Sequence, residues 1–106
     1  MKIAVTYQDG DIFQHFGHTE FFKIYDIENT DIVKTEIVST NGSGHGALAQ
    51  FLHEHSVDTL ICGGIGGGAQ MALSQAGIKL YGGVTGKADD AVNALLNNKP
   101  VSYTHL

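Results

Sequence analysis

The sequence has one cysteine, one proline, no tryptophan and only six lysine and arginine residues among 106 positions. Because Cys62 is the single cysteine, no internal disulfide can form, and the core alone must hold the fold. The formal net charge is −5 and no basic run occurs, which argues against a nucleic-acid partner, since a polyanion needs a basic surface. No apolar stretch approaches the ~18 residues of a membrane-spanning helix, and no pattern typical of a secretory leader is seen. We therefore expect a cytoplasmic protein with no membrane association.

The sequence does contain enough apolar residues for one core. Hydrophobic residues make up 42% of the chain and charged residues 16%, which is typical of a globular protein. A chain of 106 residues predicts one domain over 1–106. We expect its core to span residues 2–96 and the tail at 99–106 to be loosely held.

The first half of the chain has the pattern of three strands. Lys2–Thr6 is a short apolar run, typical of a buried strand, and a long loop over 7–20 is predicted to follow it. Phe21–Ile27 and Ile32–Val38 are rich in β-branched and aromatic residues. The polar turn Glu28–Asp31 between them predicts an antiparallel hairpin.

The second half alternates helices and strands. Apolar residues recur at helical spacing from Leu48 to His55, from Ala69 to Ala76 and from Ala88 to Leu95. The apolar runs Val57–Cys62 and Ile78–Tyr81 lie between these helices and predict two more strands. The element order is therefore β-β-β-α-β-α-β-α, and the alternation predicts parallel strands joined by right-handed crossovers.

The fourteen glycines gather in loops that should meet at one edge of the sheet. If the first three strands form a meander, then the first, third, fourth and fifth strands all end at that edge. Each glycine-rich loop follows one of these strand ends. Because open α/β sheets bind ligands at the carboxyl ends of their strands, we expect a binding site there.

Four residues near these loops are candidate ligands of a metal or a metal cluster. His15 and His18 follow the first strand, His45 follows the third, and Cys62 ends the fourth. Imidazole and thiolate groups ligate soft transition metals and iron–sulfur units. Alternatives stay open, since loop histidines are often plain surface side chains. Cys62 is either a small core residue or a thiol whose pKa is lowered by the helix that follows.

The segment Gly63–Gly68 is the strongest local feature. A glycine loop between a strand and a helix exposes backbone N–H groups to an anion, and Gly64, Gly66 and Gly67 are the candidate contacts. The segment also contains a weak form of the dinucleotide fingerprint. No acidic residue follows ~20 positions later, as that fingerprint requires, so no nucleotide cofactor is expected. The alternative interpretation is a tight turn that serves packing between helix and sheet.

Catalytic motifs are scarce in this chain. There is no Gly-x-Ser-x-Gly elbow for a nucleophilic serine. Asp9 and Asp11 are near each other but lack the further carboxylates that a two-metal nuclease needs, and Asp58 begins its strand at the opposite edge. The sequence therefore indicates a binding protein rather than an enzyme.

Several short motifs follow one another in a defined order. They are Lys2-Ile-Ala-Val, Gln14-His-Phe-Gly-His18 leading to Phe21-Phe22, His45-Gly46, Val57-Asp58-Thr-Leu-Ile61, Gly64-Ile-Gly66, Ala76-Gly77-Ile78 and a closing loop with Gly82 and Gly86. In this order and spacing, from Lys2 to about Leu96, the chain resembles the nitrogenase iron–molybdenum cofactor biosynthesis family. That family comprises accessory proteins that carry the cofactor or its precursor, together with small stand-alone relatives.

The resemblance implies a ribonuclease-H-like topology, with a five-stranded mixed sheet in the order 3-2-1-4-5. It also implies binding of an anionic metal–sulfur cluster, either iron–molybdenum cofactor-like or iron–sulfur, with the His-Phe-Gly histidine, His15, as a ligand. We expect a carrier or chaperone that exchanges this cluster with a donor or recipient protein, with His45 or Cys62 as a second ligand. The oligomeric state is open.

Two other functions are compatible with the same residues. One is a sensor of a small anion or a nucleotide phosphate that uses the glycine loop. The other is a protein-interaction domain without a ligand, in which the glycines serve packing only.

Overall fold

Six strands and three α-helices are found among the residues that the structure, a computed structural model, describes, namely 1–41 and 45–98. Only the backbone is described at residues 45 and 46. The elements are β1 (Lys2–Gln8), β2 (Asp11–Ile12), a 3-10 turn (Phe16–His18), β3 (Phe21–Glu28), β4 (Asp31–Ser39), α1 (His45–Glu54), β5 (Thr59–Ile61), α2 (Gly67–Gln75), β6 (Lys79–Tyr81) and α3 (Ala88–Leu96).

The strands form one mixed sheet. Its main path is β4-β3-β1-β5-β6, and β2 pairs with β1 beside that path. The pairs β3–β4 and β1–β3 are antiparallel, whereas β1–β5 and β5–β6 are parallel. The prediction of an α/β domain with three helices and a mixed sheet is therefore confirmed. The predicted tail at 99–106 lies outside the described residues.

The described residues form six strands where five were predicted, because part of the predicted loop over 7–20 is a hairpin. Asp9 and Gly10 have φ angles of 51° and 93° and form a two-residue turn that brings Asp11 opposite Gln8. Asp-Gly is typical of such turns, since both central positions need positive φ. This dipeptide is the signal from which β2 could have been predicted.

Apolar side chains pack on both faces of the sheet. Along β1, Ala4 faces the cluster formed with α1 and α2, while Ile3 and Val5 face the cluster formed with α3. Burial on both faces explains why the inner strands are continuously apolar. No helix among the described residues is long and apolar enough to cross a membrane.

The outermost strand, β4, is only lightly covered. All nine of its residues are exposed or half-buried. It joins β3 through a turn in which Asn29 and Thr30 have φ angles of 51° and 69°. A register shift opposite Asp26 and Ile27 leaves Val33 out of the ladder between the two strands.

Candidate functional site

The loops that follow β2, β5 and β6 meet at one edge of the sheet, and we call residues 13–18, 63–68 and 82–86 the rim. The first two loops are joined by backbone hydrogen bonds between Gln14, Phe16 and Gly64. The second and third are joined by the N–H of Gly83, which donates to the carbonyl of Gly63 at 2.8 Å. The rim therefore brings together three of the predicted glycine-rich loops, whereas the loop that follows β4 lies partly outside the described residues.

At the centre of the rim, His15 pairs with Gly64 in an isolated parallel bridge. The N–H of Gly64 donates to the Gln14 carbonyl at 2.7 Å, and the N–H of Phe16 donates to the Gly64 carbonyl at 3.0 Å. Because paired residues place their side chains on the same face, the His15 imidazole stands beside a residue without a side chain. His15 is exposed, and its ring meets Phe13 edge-on with centroids 6.1 Å apart.

Packing explains two glycines of the 63–68 segment, Gly63 strictly and Gly64 less strictly. A Cβ atom on Gly63 would lie 2.6 Å from the Cα atom of Gln14, and one on Gly64 would lie 3.1 Å from the Gln14 carbonyl oxygen. Both distances involve main-chain atoms, which cannot turn aside as a flexible side chain can. Gly63 and Gly64 therefore allow the two loops to approach, which supports the packing interpretation at these two positions.

The other glycines of the segment, Gly66, Gly67 and Gly68, are not explained by packing. All three are exposed, none has a positive φ, and a Cβ atom on any of them would meet nothing within 4 Å. Gly66 is the N-cap of α2 and makes no side-chain capping bond, and the first turn has no acidic residue. The positive end of the helix dipole and its first N–H groups therefore face an open surface, which suits an anion.

Two shallow depressions flank the bridge between His15 and Gly64. One, of about 310 Å³, is lined by Gly63, Gly64, Ile65, Gln70, Leu80, Gly82 and Gly83. The other, of about 350 Å³, includes His15 and the β2 hairpin. A larger depression of about 430 Å³ lies beside the rim, but its titratable side chains are Tyr7, Asp9 and Glu20. Its two carboxylates make it a poor site for an anion. Asp9 and Asp11 also line the depression that includes His15, so the depression beside Gly64 and Ile65 suits an anion better than either.

Gln14 is a positioning residue that sequence reasoning missed. Its side-chain Nε2 donates to the carbonyls of Ile12 at 2.9 Å and Val84 at 3.1 Å. Its main chain meets Gly63 and Gly64, as described above. Gln14 thus fixes the loop that carries His15 against both neighbouring loops. It precedes His15 in the motif Gln14-His-Phe-Gly-His18, but the residue type alone does not reveal this role.

The other two candidate histidines, His18 and His45, are described in less detail by the structure. His18 is exposed and ends the 3-10 turn, and its N–H donates to the His15 carbonyl at 2.9 Å. His45 begins α1, but its side chain lies outside the described residues, so its role stays a prediction. Among the side chains that the structure describes, no group of three or more His, Cys, Asp or Glu residues could hold a metal ion.

Cys62 lies in the core rather than on the surface of the rim. Its side chain has no exposed area and packs in the same cluster as Leu60 and Leu73. Burial raises the pKa of the thiol to about 12, so the expectation that the helix lowers this pKa is wrong. Residues 63–66 separate Cys62 from the start of α2, and desolvation prevails over the helix dipole. The structure favours the alternative of a small core residue.

The chain is similar to proteins of a known family. Residues 1–98 match the family model described as "Dinitrogenase iron-molybdenum cofactor". The chain belongs to the dinitrogenase iron–molybdenum cofactor family. The resemblance inferred from the ordered motifs is thereby confirmed.

Several known proteins are similar to this chain over nearly its whole length. The protein MJ0580 of Methanocaldococcus jannaschii is 31% identical over 104 residues, which cover 93% of this chain and 88% of that protein. The crystal structure of PH0822 has a TM-score of 0.90 and 29% identity, with 98% of this chain and 96% of that chain covered. The apo form of the orange protein from Desulfovibrio gigas has a TM-score of 0.79 and 28% identity, with 95% and 92% covered.

Proposed function

We propose that this protein binds an anionic metal–sulfur cluster, of iron–molybdenum or iron–sulfur type, and carries it to another protein. The observation that supports this function best is the bridge between His15 and Gly64. It places an exposed imidazole on the same rim as the open N-terminus of α2. A candidate metal ligand and a set of candidate anion donors therefore lie on the same rim.

The residues of the rim fit the chemistry of such a cargo. A cluster brings its own sulfides, so it needs few protein ligands, and an imidazole can take one metal position. Backbone N–H groups at Gly66–Gly68 can donate to anionic sulfides. Because the net charge of −5 opposes an anion, these local donors must outweigh the overall field. His45, at the start of α1, is the proposed second ligand.

The family relationship supports the same function. The family description names the iron–molybdenum cofactor, and the orange protein structure is that of an apo form. The shallow, open form of the depressions suits a cargo that must be handed to a recipient. We infer that the protein acts in the cytoplasm as a carrier rather than a catalyst.

The proposed topology does not bring nuclease chemistry with it. We infer a ribonuclease-H-like arrangement of the sheet from the family resemblance. Two-metal nucleases need clustered carboxylates. Among the described residues no such group of acidic side chains is close enough to hold a metal.

Anaerobic loading of the purified protein tests this function. The protein is incubated with ferrous iron, molybdate and sulfide, separated from free metal, and examined by absorption spectroscopy and metal analysis. We expect a coloured protein with bound metal, and a loss of most of that metal in His15→Ala. The matched control is His53→Ala, because His53 is also exposed but lies in the last turn of α1, away from the rim.

The outcomes separate the three functions. Equal metal uptake by His15→Ala and the unchanged protein would remove His15 from the site. If the protein takes up no cluster but phosphate or nucleotides raise its melting temperature, the anion sensor is supported, since the open start of α2 also suits phosphate. If no ligand acts and protein partners are recovered, the interaction domain gains support. That function leaves the open glycines Gly66–Gly68 unexplained.

A further inference from the structure

The exposed edge of β4 has the features of a strand that pairs with another strand. It is nine residues long, and among the described residues no strand lies beyond it in the sheet. Val33 and Ile37 are each 54% exposed, which is high for large apolar residues. An edge strand also points unpaired backbone N–H and C=O groups outward, and these can bind another strand.

The sequence of β4 is complementary to itself in antiparallel orientation. Its central residues are Ile-Val-Lys-Thr-Glu-Ile-Val, over positions 32–38. When a second copy is laid antiparallel with Thr35 opposite Thr35, Lys34 faces Glu36 twice. In the same register Val33, which lies at the register shift of β4, comes near Ile37 of the other copy. We propose that β4 pairs with β4 of a second copy of this chain in this register, forming a twofold dimer with a continuous sheet.

Charge selects this register over its neighbours. Centring the pair on Lys34 would place two lysines directly opposite each other, and centring it on Glu36 would oppose two carboxylates. Like charges in directly opposed positions destabilise a sheet, whereas opposite charges stabilise it. A slip by one residue would also move apolar side chains onto the wrong face. The Thr35-centred register therefore satisfies the charges and keeps Ile37 of both copies on one face of the sheet.

The pairing of β4 with β3 leaves the centre of this edge regular. Bulges are one device by which edge strands resist pairing, and the register shift here is confined to Val33. Residues 34–39 pair with β3 in unbroken register from Asp26 to Phe21. The two Lys34–Glu36 contacts and the Thr35 axis fall within this regular part.

The geometry predicts a dimer that dissociates on dilution and leaves both rims accessible. One pair of strands buries less surface than a standard stable interface. Because the two copies of β4 run antiparallel, the carboxyl edges of the two sheets point in opposite directions. Dimer formation is therefore independent of cargo binding, and the test below can succeed or fail whatever the outcome for His15.

Sedimentation velocity from micromolar to millimolar concentration tests the dimer. We expect a monomer–dimer equilibrium. Lys34→Glu or Glu36→Lys should raise the dimer dissociation constant at least about tenfold, because each change replaces two attractive contacts by two repulsive ones. The double variant Lys34→Glu with Glu36→Lys should restore the original equilibrium. Since these side chains are exposed, each variant can be checked for an unchanged fold by circular dichroism.

Cysteine cross-linking tests the register. Thr35→Cys places two thiols opposite each other on the axis, within disulfide range, and should give a covalent dimer under mild oxidation. The control Ser39→Cys should not cross-link, because the two copies of position 39 would lie about 27 Å apart. Cys62 is buried and gives no background. The proposal is overturned if the protein is monomeric at all concentrations. It is also overturned if a dimer forms that is not weakened by Lys34→Glu and not cross-linked by Thr35→Cys.

Discussion

The carbonyl of Gln14 accepts the N–H of Gly64 at 2.7 Å, and this contact sets the position of His15 on the rim. The Gln14 side chain holds the same loop to Ile12 and Val84. The loop that contains His15 is thus held in place by hydrogen bonds to neighbouring segments, so the position of the exposed imidazole is fixed. Such a placement suits a ligand that must meet its cargo with little loss of conformational entropy.

The two kinds of glycine in the 63–68 segment predict opposite effects of substitution by alanine. Gly63→Ala should lower the free energy of unfolding by about 2 kcal/mol, because its Cβ atom would press on the Cα atom of Gln14. Gly68→Ala should raise it by about 0.5–1 kcal/mol, because Gly68 lies in α2 with open space around it. Urea unfolding of both variants measures the difference. Two variants of equal stability would contradict the close approach of the loops.

A contact between β3 and α3 predicts a dependence of stability on acid pH. Asp89 accepts hydrogen bonds from Tyr25 at 2.5 Å and from Lys23 at 2.9 Å. The Tyr25 hydrogen bond first, and then the Lys23 contact, hold the pKa of Asp89 below its ordinary value. The contribution of Asp89 to stability is therefore present above its pKa in the unfolded chain, about 4, and is lost as pH falls through the lower pKa of the folded state.

Asp89→Asn measures this contribution. At pH 7 we expect a loss of about 1 kcal/mol, a modest value because the Asp89 side chain is 62% exposed and solvent screens its charge. The stability difference between the variant and the unchanged protein should shrink as pH falls through the lowered pKa of folded Asp89. Asp90→Asn is the control, as Asp90 shares the first turn of α3. An equal effect of both variants would assign the loss to the helix dipole alone.

The buried thiol predicts an unreactive cysteine with no part in metal uptake. Because burial raises the pKa of Cys62 to about 12, a thiol reagent at pH 8 should modify it only after unfolding in denaturant. Cys62→Ala should cost about 1 kcal/mol for the small cavity left in the core, and should load the same amount of metal. Rapid labelling of the folded protein, or loss of metal in Cys62→Ala, would show instead that the thiolate reaches the rim.

The sequence was informative where a pattern is local. Apolar runs and helical spacing identified the inner strands and the three helices, since burial on both faces of a sheet leaves a continuous apolar segment. The predicted loop over 7–20 was wrong in part because the apolar pattern of β2 is only two residues long. In that case only the turn chemistry of Asp9-Gly10 carries a signal.

The site was predictable as an edge of the sheet, but not in its details. The order of strands and loops already suggested that His15 and the glycine segment lie on one rim, and ordered motifs indicated the family. The burial of Cys62 could not be read from its position, because a thiol at the end of a strand can face either the core or the rim. The same holds for Gln14, whose role depends on carbonyls at Ile12 and Val84.

The sequence by itself determined the alternation of strands and helices, the family and the set of candidate ligands, because these follow from neighbouring residues along the chain. Only the tertiary structure decided which glycines serve packing and which leave open space. It also decided that Gln14 fixes the loop of His15 and that Cys62 is withdrawn into the core. The physical reason is that each of these properties depends on distances between segments far apart in the chain, and such distances exist only once the sheet has formed.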